Sequence, residues 1–283
     1  MTKRTKMQFY PSAMSVTASD SGGGAGIAAD LRTFNALGVY ATCAVSAVTC
    51  QNPAVIRRIE VVPADIIACQ IDTVMEKIAV RSIKAGMLFS AESIRAVAEA
   101  VKKYDLELIC DPEMLSLTGK NAIADEVVEV VKSELFPLAA WITLSVPEAE
   151  TILGKKIAAL SDMLDAAGEL MEMYSAFIWL KGGAVEGKQA LDVIAGDGKI
   201  YTIASPKLEL LPQNTYGAGT TLSAALTGML ALDMSWKQAV CAAKAFVYGS
   251  LAQSVEIGKN TLAMYPPSED FYNLIKLSEA GRK

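Results

Sequence analysis

Strand-like runs alternate with helical patterns from one end of the 283-residue chain to the other, and that alternation leaves few folds open. Ala13–Ser19 is apolar and extended. A glycine loop follows, then a helix with Ile27, Leu31, Phe34 and Leu37 on one face, stopped at Gly38, a C-terminal position that favours glycine. Strand patterns return at Val39–Val48, Arg81–Ala85, Leu106–Cys110, Ala139–Thr143 and Ala176–Lys181. Helical patterns fill Pro63–Ile78, Ser90–Tyr104, Ile123–Glu134 and Ser161–Tyr174. Gly196-Asp197-Gly198 joins Gln189–Ala195 to Lys199–Ile203 as a hairpin. The last third reads as mainly helical, through Ala218–Ala231, Ser235–Val255 and the tail. Repeated strand–helix units need parallel strands with crossover helices, hence an α/β fold with a doubly wound, mostly parallel sheet flanked by helices. No linker, charge block or repeat interrupts the pattern. The expectation is a single domain over 1–283, with a core over about 13–255 and a helical C-terminal tail over about 256–283. Ligands of such sheets sit beyond the carboxyl ends of the strands, so function is sought there.

Composition narrows the chemistry. The chain has no histidine, which excludes every imidazole mechanism and histidine-ligated metal sites and leaves carboxylates, Lys, Tyr and Cys as acid–base groups. A net charge of −5 argues against a nucleic-acid binder. Hydrophobic residues reach 52%, yet the longest nearly uncharged apolar stretch, Val39–Cys50, has twelve residues, short of the roughly 20 that cross a bilayer. No membrane association is expected. Five cysteines without a Cys-x-x-Cys pair suit core packing in a reducing compartment. The start, MTKRTKMQFYPSA, is basic but lacks the apolar run of a signal peptide, so a cytoplasmic protein is expected.

Two glycine loops run into helices. In Asp20-Ser-Gly22-Gly23-Gly24-Ala25-Gly26, four glycines in five positions let main-chain amides approach a ligand at a helix N-terminus. A merely tight strand–helix turn is the plain alternative. A dinucleotide fingerprint would also need an acid after the second strand, and residues 44–54 have none. Asn214-Thr-Tyr216-Gly217-Ala218-Gly219-Thr220 is the second loop, suited to an anion hole, or else a glycine-started packed helix. Gly182 to Lys188 spells a phosphate-binding P-loop until Gln189 replaces the needed hydroxyl and a strand pattern follows. Lys181, ahead of Gly182 and Gly183, is a candidate phosphate neighbour or simply a turn lysine. Asp111 and Glu148 put carboxylates at strand ends, where Mg²⁺ near phosphates needs them, although each also suits a helix start. Together these features favour phosphoryl transfer.

The stretch Asp20–Asp30, Gln51-Asn52, Lys84-Ala-Gly-Met87-Leu, Asp111-Pro-x-Met114, Pro147-Glu148-Ala, Lys181-Gly-Gly and Gly217-Ala-Gly219 with Leu222-Ser-Ala-Ala resembles the hydroxymethylpyrimidine and phosphomethylpyrimidine kinases of thiamine biosynthesis. These belong to the ribokinase-like superfamily, near the pyridoxal kinases, and the resemblance runs in order over about residues 13–255. It implies a sheet of eight or nine strands, a homodimer, ATP and Mg²⁺. It also implies phosphorylation of the hydroxymethyl group, or of its phosphate, on a small heteroaromatic ring. Carried over by position, Gln51 hydrogen-bonds the ring and Met87 lines its pocket, with Asp20, Gly23 and Asp30 near the substrate. Lys181 and Gly182 meet the ATP phosphates, Glu148 and Asp111 serve the hydrated Mg²⁺, and Gly217, Ala218, Gly219 and Thr220 form the anion hole. The chain departs from the pattern where the family has Cys at Thr220, His at Tyr216 and Asn at Ser145. Threonine is too weakly acidic to cycle protons near neutral pH. Phosphoryl transfer depends mainly on positioning and charge, so a missing base slows turnover without abolishing it. A pyridoxal-type substrate and a non-catalytic vitamin-precursor binder stand as alternatives.

Overall fold

Every residue of β1 (Ser12–Ala18) is buried, as a strand covered on both faces requires. The computed structural model describes residues 10–114, 124–183, 189–210, 212–258 and 261–280. After β1 come α1 (Gly26–Ala36), β2 (Tyr40–Asn52), β3 (Val55–Val61), α2 (Ala64–Met75), β4 (Ser82–Ala85), α3 (Ala91–Tyr104) and β5 (Glu107–Cys110). The chain continues through α4 (Asp125–Val130), β6 (Ala139–Ser145), α5 (Val146–Leu153), α6 (Leu160–Tyr174), β7 (Phe177–Lys181), β8 (Gln189–Gly196) and β9 (Lys199–Pro206). It closes with α7 (Ala218–Ala231), α8 (Trp236–Ala252), β10 (Val255–Gly258), β11 (Thr261–Ala263) and β12 (Lys276–Glu279).

One sheet of ten strands, in the order β12-β9-β8-β7-β6-β5-β4-β1-β2-β3, runs through the molecule, against the eight or nine the resemblance implies. From β2 through β1, β4, β5 and β6 to β7 all pairs are parallel. From β1 the chain winds outward to β2, then returns to β4 and winds the other way. The carboxyl ends of β1 and β4 therefore flank the switch point at which such sheets bind ligands. Met14, Val16, Ile83, Leu108 and Ile142 pack on one face against α2, α3, α4, α5 and α6. Ile109, Trp141, Trp179 and Ile194 meet α7 and α8 on the other, where Phe34 of α1 joins Ala224 and Ala231. The ends of α3 show how locally the sequence sets these elements. Ser90 accepts the Ser93 N–H at 3.1 Å, and Asp105 closes the helix in the left-handed region.

The structure corrects the expected tail. The residues beyond Ser254 form no α-helix among those described. β10 and β11 make a small hairpin, and β12 adds antiparallel to β9 at the sheet edge. Pro266 and Pro267 oppose a continuous helix, and Leu277 turns inward from a period-two segment. The segment 55–61, to which the sequence pattern assigns no element, is β3. All seven of its residues are exposed, so no apolar alternation marks it. β3 also lengthens β2. Beyond Ala47, β2 leaves β1 and pairs with β3 alone, carrying Gln51 past the sheet on a two-stranded ribbon. No helix among the described residues is long and apolar enough to cross a membrane.

Candidate active site

The two glycine loops, almost 200 residues apart in sequence, touch. Asp20 lies in the left-handed region (φ +47°) and turns its carboxylate back into its own loop, accepting N–H bonds from Gly22 (2.9 Å), Gly24 (3.0 Å) and Ala25 (2.7 Å). Three of the loop amides are therefore committed to Asp20, which holds the loop together. Gly217 (φ +82°) opens α7, and a Cβ there would lie 1.8 Å from the carbonyl oxygen of Gly24. Tyr216 lies across Gly24 and donates its hydroxyl to Asp20 Oδ2 at 2.8 Å. Gln51 Nε2 donates in turn to that hydroxyl oxygen. Asn52 caps the β2–β3 turn, its side chain accepting the N–H groups of Ala54 and Val55.

No side chain caps α7, so Ala218, Gly219 and Thr220 open it with N–H groups at a positive helix end. Lys181, at the end of β7, reaches this turn: a Cβ on Gly219 would sit 3.5 Å from its Nζ. The ammonium also pairs with Asp111 at 2.8 Å, and Ser223 donates to the other Asp111 oxygen at 2.6 Å. Burial opposes ionisation of Asp111, but Lys181, Lys84 and these hydrogen bonds outweigh it and hold the carboxyl below its ordinary value. Beneath Thr220 lies a second pair. Lys84 Nζ meets both oxygens of Asp30 (2.8 and 2.9 Å), the Thr220 carbonyl (3.2 Å) and the Thr220 hydroxyl. Both members are fully buried. Burial would lower Lys84, yet Asp30, Glu113 and Asp111 raise it overall, so it carries its charge.

Asp30 thus sits inside the protein as a support for Thr220 and Lys84 rather than as a substrate contact. Glu148 accepts from the Met114 N–H (2.9 Å) and from the Ser145 N–H and hydroxyl (2.7 Å each), as the N3 member of a capping box. Both oxygens of Asp111 and of Glu148 are engaged, and no group of three metal-ligating side chains occurs among the described residues. The Gly182 N–H is likewise committed, to Asp192 at 2.9 Å, while Asp192 also binds Lys244 and the Trp179 indole. Met87 follows β4 with its main chain tied to Thr17 and Ser46 and its side chain half-buried against the core. Gly23 (φ +75°) stands beside the Arg32 guanidinium, which donates to its carbonyl at 2.8 Å. Lys188 lies outside the described residues, and Gln189 opens a strand where a P-loop needs a helix.

One acid was missed. Glu113, half-buried and left-handed (φ +46°), lies beside Thr220 among Lys84, Asp111 and Asp30. Burial lifts its carboxyl, Lys84 pulls it down, and the two aspartates lift it again, to about 7. It can therefore hold or release a proton near neutrality. It stands at the unassigned position of Asp111-Pro-x-Met114, and its signal was a second acid two residues past a strand-end aspartate.

This geometry sets an uncapped helix start beside a lysine ammonium, at the switch point of a doubly wound sheet. The model of the phosphomethylpyrimidine kinase family matches residues 20–264. The chain belongs to that family. The hydroxymethylpyrimidine/phosphomethylpyrimidine kinase of Rhizobium meliloti is 34% identical over 250 residues, which cover 87% of this kinase and 93% of that one. Among solved structures, the phosphomethylpyrimidine kinase of Clostridium difficile is 35% identical with a TM-score of 0.74, covering 83% of this chain and 97% of the other. The Staphylococcus aureus pyridoxal kinase in complex with AMP-PCP and pyridoxal is 25% identical with a TM-score of 0.84, covering 96% and 100%.

Proposed function

We propose that this kinase transfers the terminal phosphoryl group of ATP to the hydroxymethyl oxygen of hydroxymethylpyrimidine, and then to the monophosphate, as in thiamine biosynthesis. The observation that carries it is the uncapped N-terminus of α7 beside the Lys181 ammonium. A transferring phosphoryl group spreads negative charge over its equatorial oxygens, and fixed N–H groups with a nearby cation stabilise that charge without reorganising. Lys84 and Asp30 hold the start of α7 from beneath, and Gln51 approaches from the β2–β3 ribbon to read the ring. Magnesium enters this reading on the nucleotide phosphates, with Glu148 and Asp111 as the acids that would meet its bound waters. Incubation with ATP, Mg²⁺ and hydroxymethylpyrimidine is expected to yield the mono- and diphosphate. No phosphorylated product at high enzyme concentration, from that alcohol or from pyridoxal, would sink the kinase reading. Pyridoxal is the second reading, favoured by the likeness to the S. aureus enzyme over 96% of the chain.

We further propose a cytoplasmic homodimer. The five cysteines are unpaired, as a reducing compartment would keep them. The β2–β3 ribbon exposes Val48 on β2 and Val55, Ile56, Ile59 and Val61 on the edge strand β3, a face that a second copy would cover. Ile56→Lys with Ile59→Lys is expected to convert a dimer to a monomer in sedimentation. An unchanged mass would remove the ribbon as the interface.

A further inference from the structure

Asp20, Gln51 and Tyr216 come from three separate segments and meet over the first glycine loop. Asp20 accepts on both oxygens: Oδ1 takes the Gly22 N–H, and Oδ2 takes the N–H groups of Gly24 and Ala25. A carboxylate so engaged has no proton to give, so the Tyr216 O–H points at Oδ2, 2.8 Å away. Only the lone pairs of that phenol oxygen face Gln51, and they take its Nε2–H. Turning the amide over would set two acceptors against each other. Gln51 Oε1 accepts no hydrogen bond among the described residues, and the side chain is half-buried on the ribbon above the loop.

We propose that Tyr216 is a specificity-determining residue: it fixes the Gln51 amide so that the carbonyl oxygen is what meets the ring, and the site selects rings that present a hydrogen-bond donor at that edge. An aminopyrimidine presents its exocyclic amine. A ring with a carbonyl oxygen there presents an acceptor to an acceptor. Burial and the hydrogen bond to Asp20 hold the Tyr216 hydroxyl above its ordinary value, so it remains a donor. The inference rests on the proposed reading of Gln51 as the group that meets the ring.

The test compares wild type, Tyr216→Phe and Gln51→Leu on the amino- and oxo-substituted forms of the same hydroxymethylpyrimidine. It reads kcat/KM and, separately, calorimetric binding. Tyr216→Phe keeps the ring over Gly24, and Asp20 retains its three main-chain bonds, so a melting temperature near wild type is expected. Wild type should prefer the amino form by about tenfold or more, the range of one mismatched buried hydrogen bond. Tyr216→Phe, whose amide is free to turn, should narrow the preference to about threefold or less, and Gln51→Leu should narrow it as far. A wild type without preference, or a Tyr216→Phe enzyme that keeps it, overturns the proposal. Equal turnover of both forms defeats the inference and leaves the kinase reading standing. Preferential binding of the amino form without product does the reverse.

Discussion

Gly217→Ala is expected to lower kcat by at least about a hundredfold, the scale of losing one oxyanion donor. Two effects combine. At φ +82° an alanine is strained by roughly 1–2 kcal/mol. The larger effect is steric, because its Cβ would lie 1.8 Å from the Gly24 oxygen and 2.9 Å from the Gly24 carbonyl carbon. Neither atom is the tip of a flexible side chain. The first loop is pinned by Asp20 through three main-chain bonds, so the start of α7 must move instead, carrying its N–H groups away from Lys181. Gly38→Ala separates strain from clash. Gly38 also has a positive φ (+74°), but a Cβ there meets nothing within 4 Å, so stability should fall by roughly 1 kcal/mol with kcat unchanged. Gly219→Ala should be milder than Gly217→Ala, since its Cβ makes only an ordinary 3.5 Å contact with Lys181. Steady-state kinetics and thermal melts of the three variants check this. A Gly217→Ala enzyme near wild-type rate would show that the two loops need not touch for catalysis.

The places of these residues were readable from the chain, but their partners were not. Alternation of period-two and helical patterns put Asp20, Asp111, Glu148 and Lys181 at strand ends and Gly217 at a helix start, because parallel strands with crossovers bring all carboxyl ends to one edge. Which oxygen answers which nitrogen depends on contacts such as Lys84 to Asp30 and Tyr216 to Asp20, across 54 and 196 positions. No local pattern encodes those distances. That Asp20 staples its own loop, and that the Gly182 N–H meets Asp192, could not be read from the chain for this reason. β3 was silent for another reason. A strand exposed along its whole length has no buried face to give it a period. Lys84 did carry a signal: a lysine inside the four-residue strand Ser82–Ala85, between apolar neighbours, must find a counter-charge or stay out of the core.

That counter-charge carries the second large effect. Lys84→Met is expected to destabilise the protein by about 3–5 kcal/mol, the cost of leaving one member of a buried pair alone. Asp30, with no exposed surface, would keep only its hydrogen bonds from Ser15 (2.5 Å) and Thr220 (3.2 Å). Burial already raises Asp30 above its ordinary value with the lysine present, and removing the lysine raises it further. A carboxyl raised in the folded state binds its proton more tightly there than in the unfolded chain. The penalty is therefore full above the raised value and is lost as the solution is acidified through it toward the ordinary value. Asp30→Leu combined with Lys84→Met removes both charges and should restore much of the stability, as apolar replacements of buried pairs often do. It should not restore turnover, because Lys84 also holds the carbonyl and hydroxyl of Thr220 at the start of α7. Chemical denaturation at two pH values, with kcat measured on the double variant, separates the two roles. A double variant that is both stable and fully active would make the pair a packing device with no part in positioning α7.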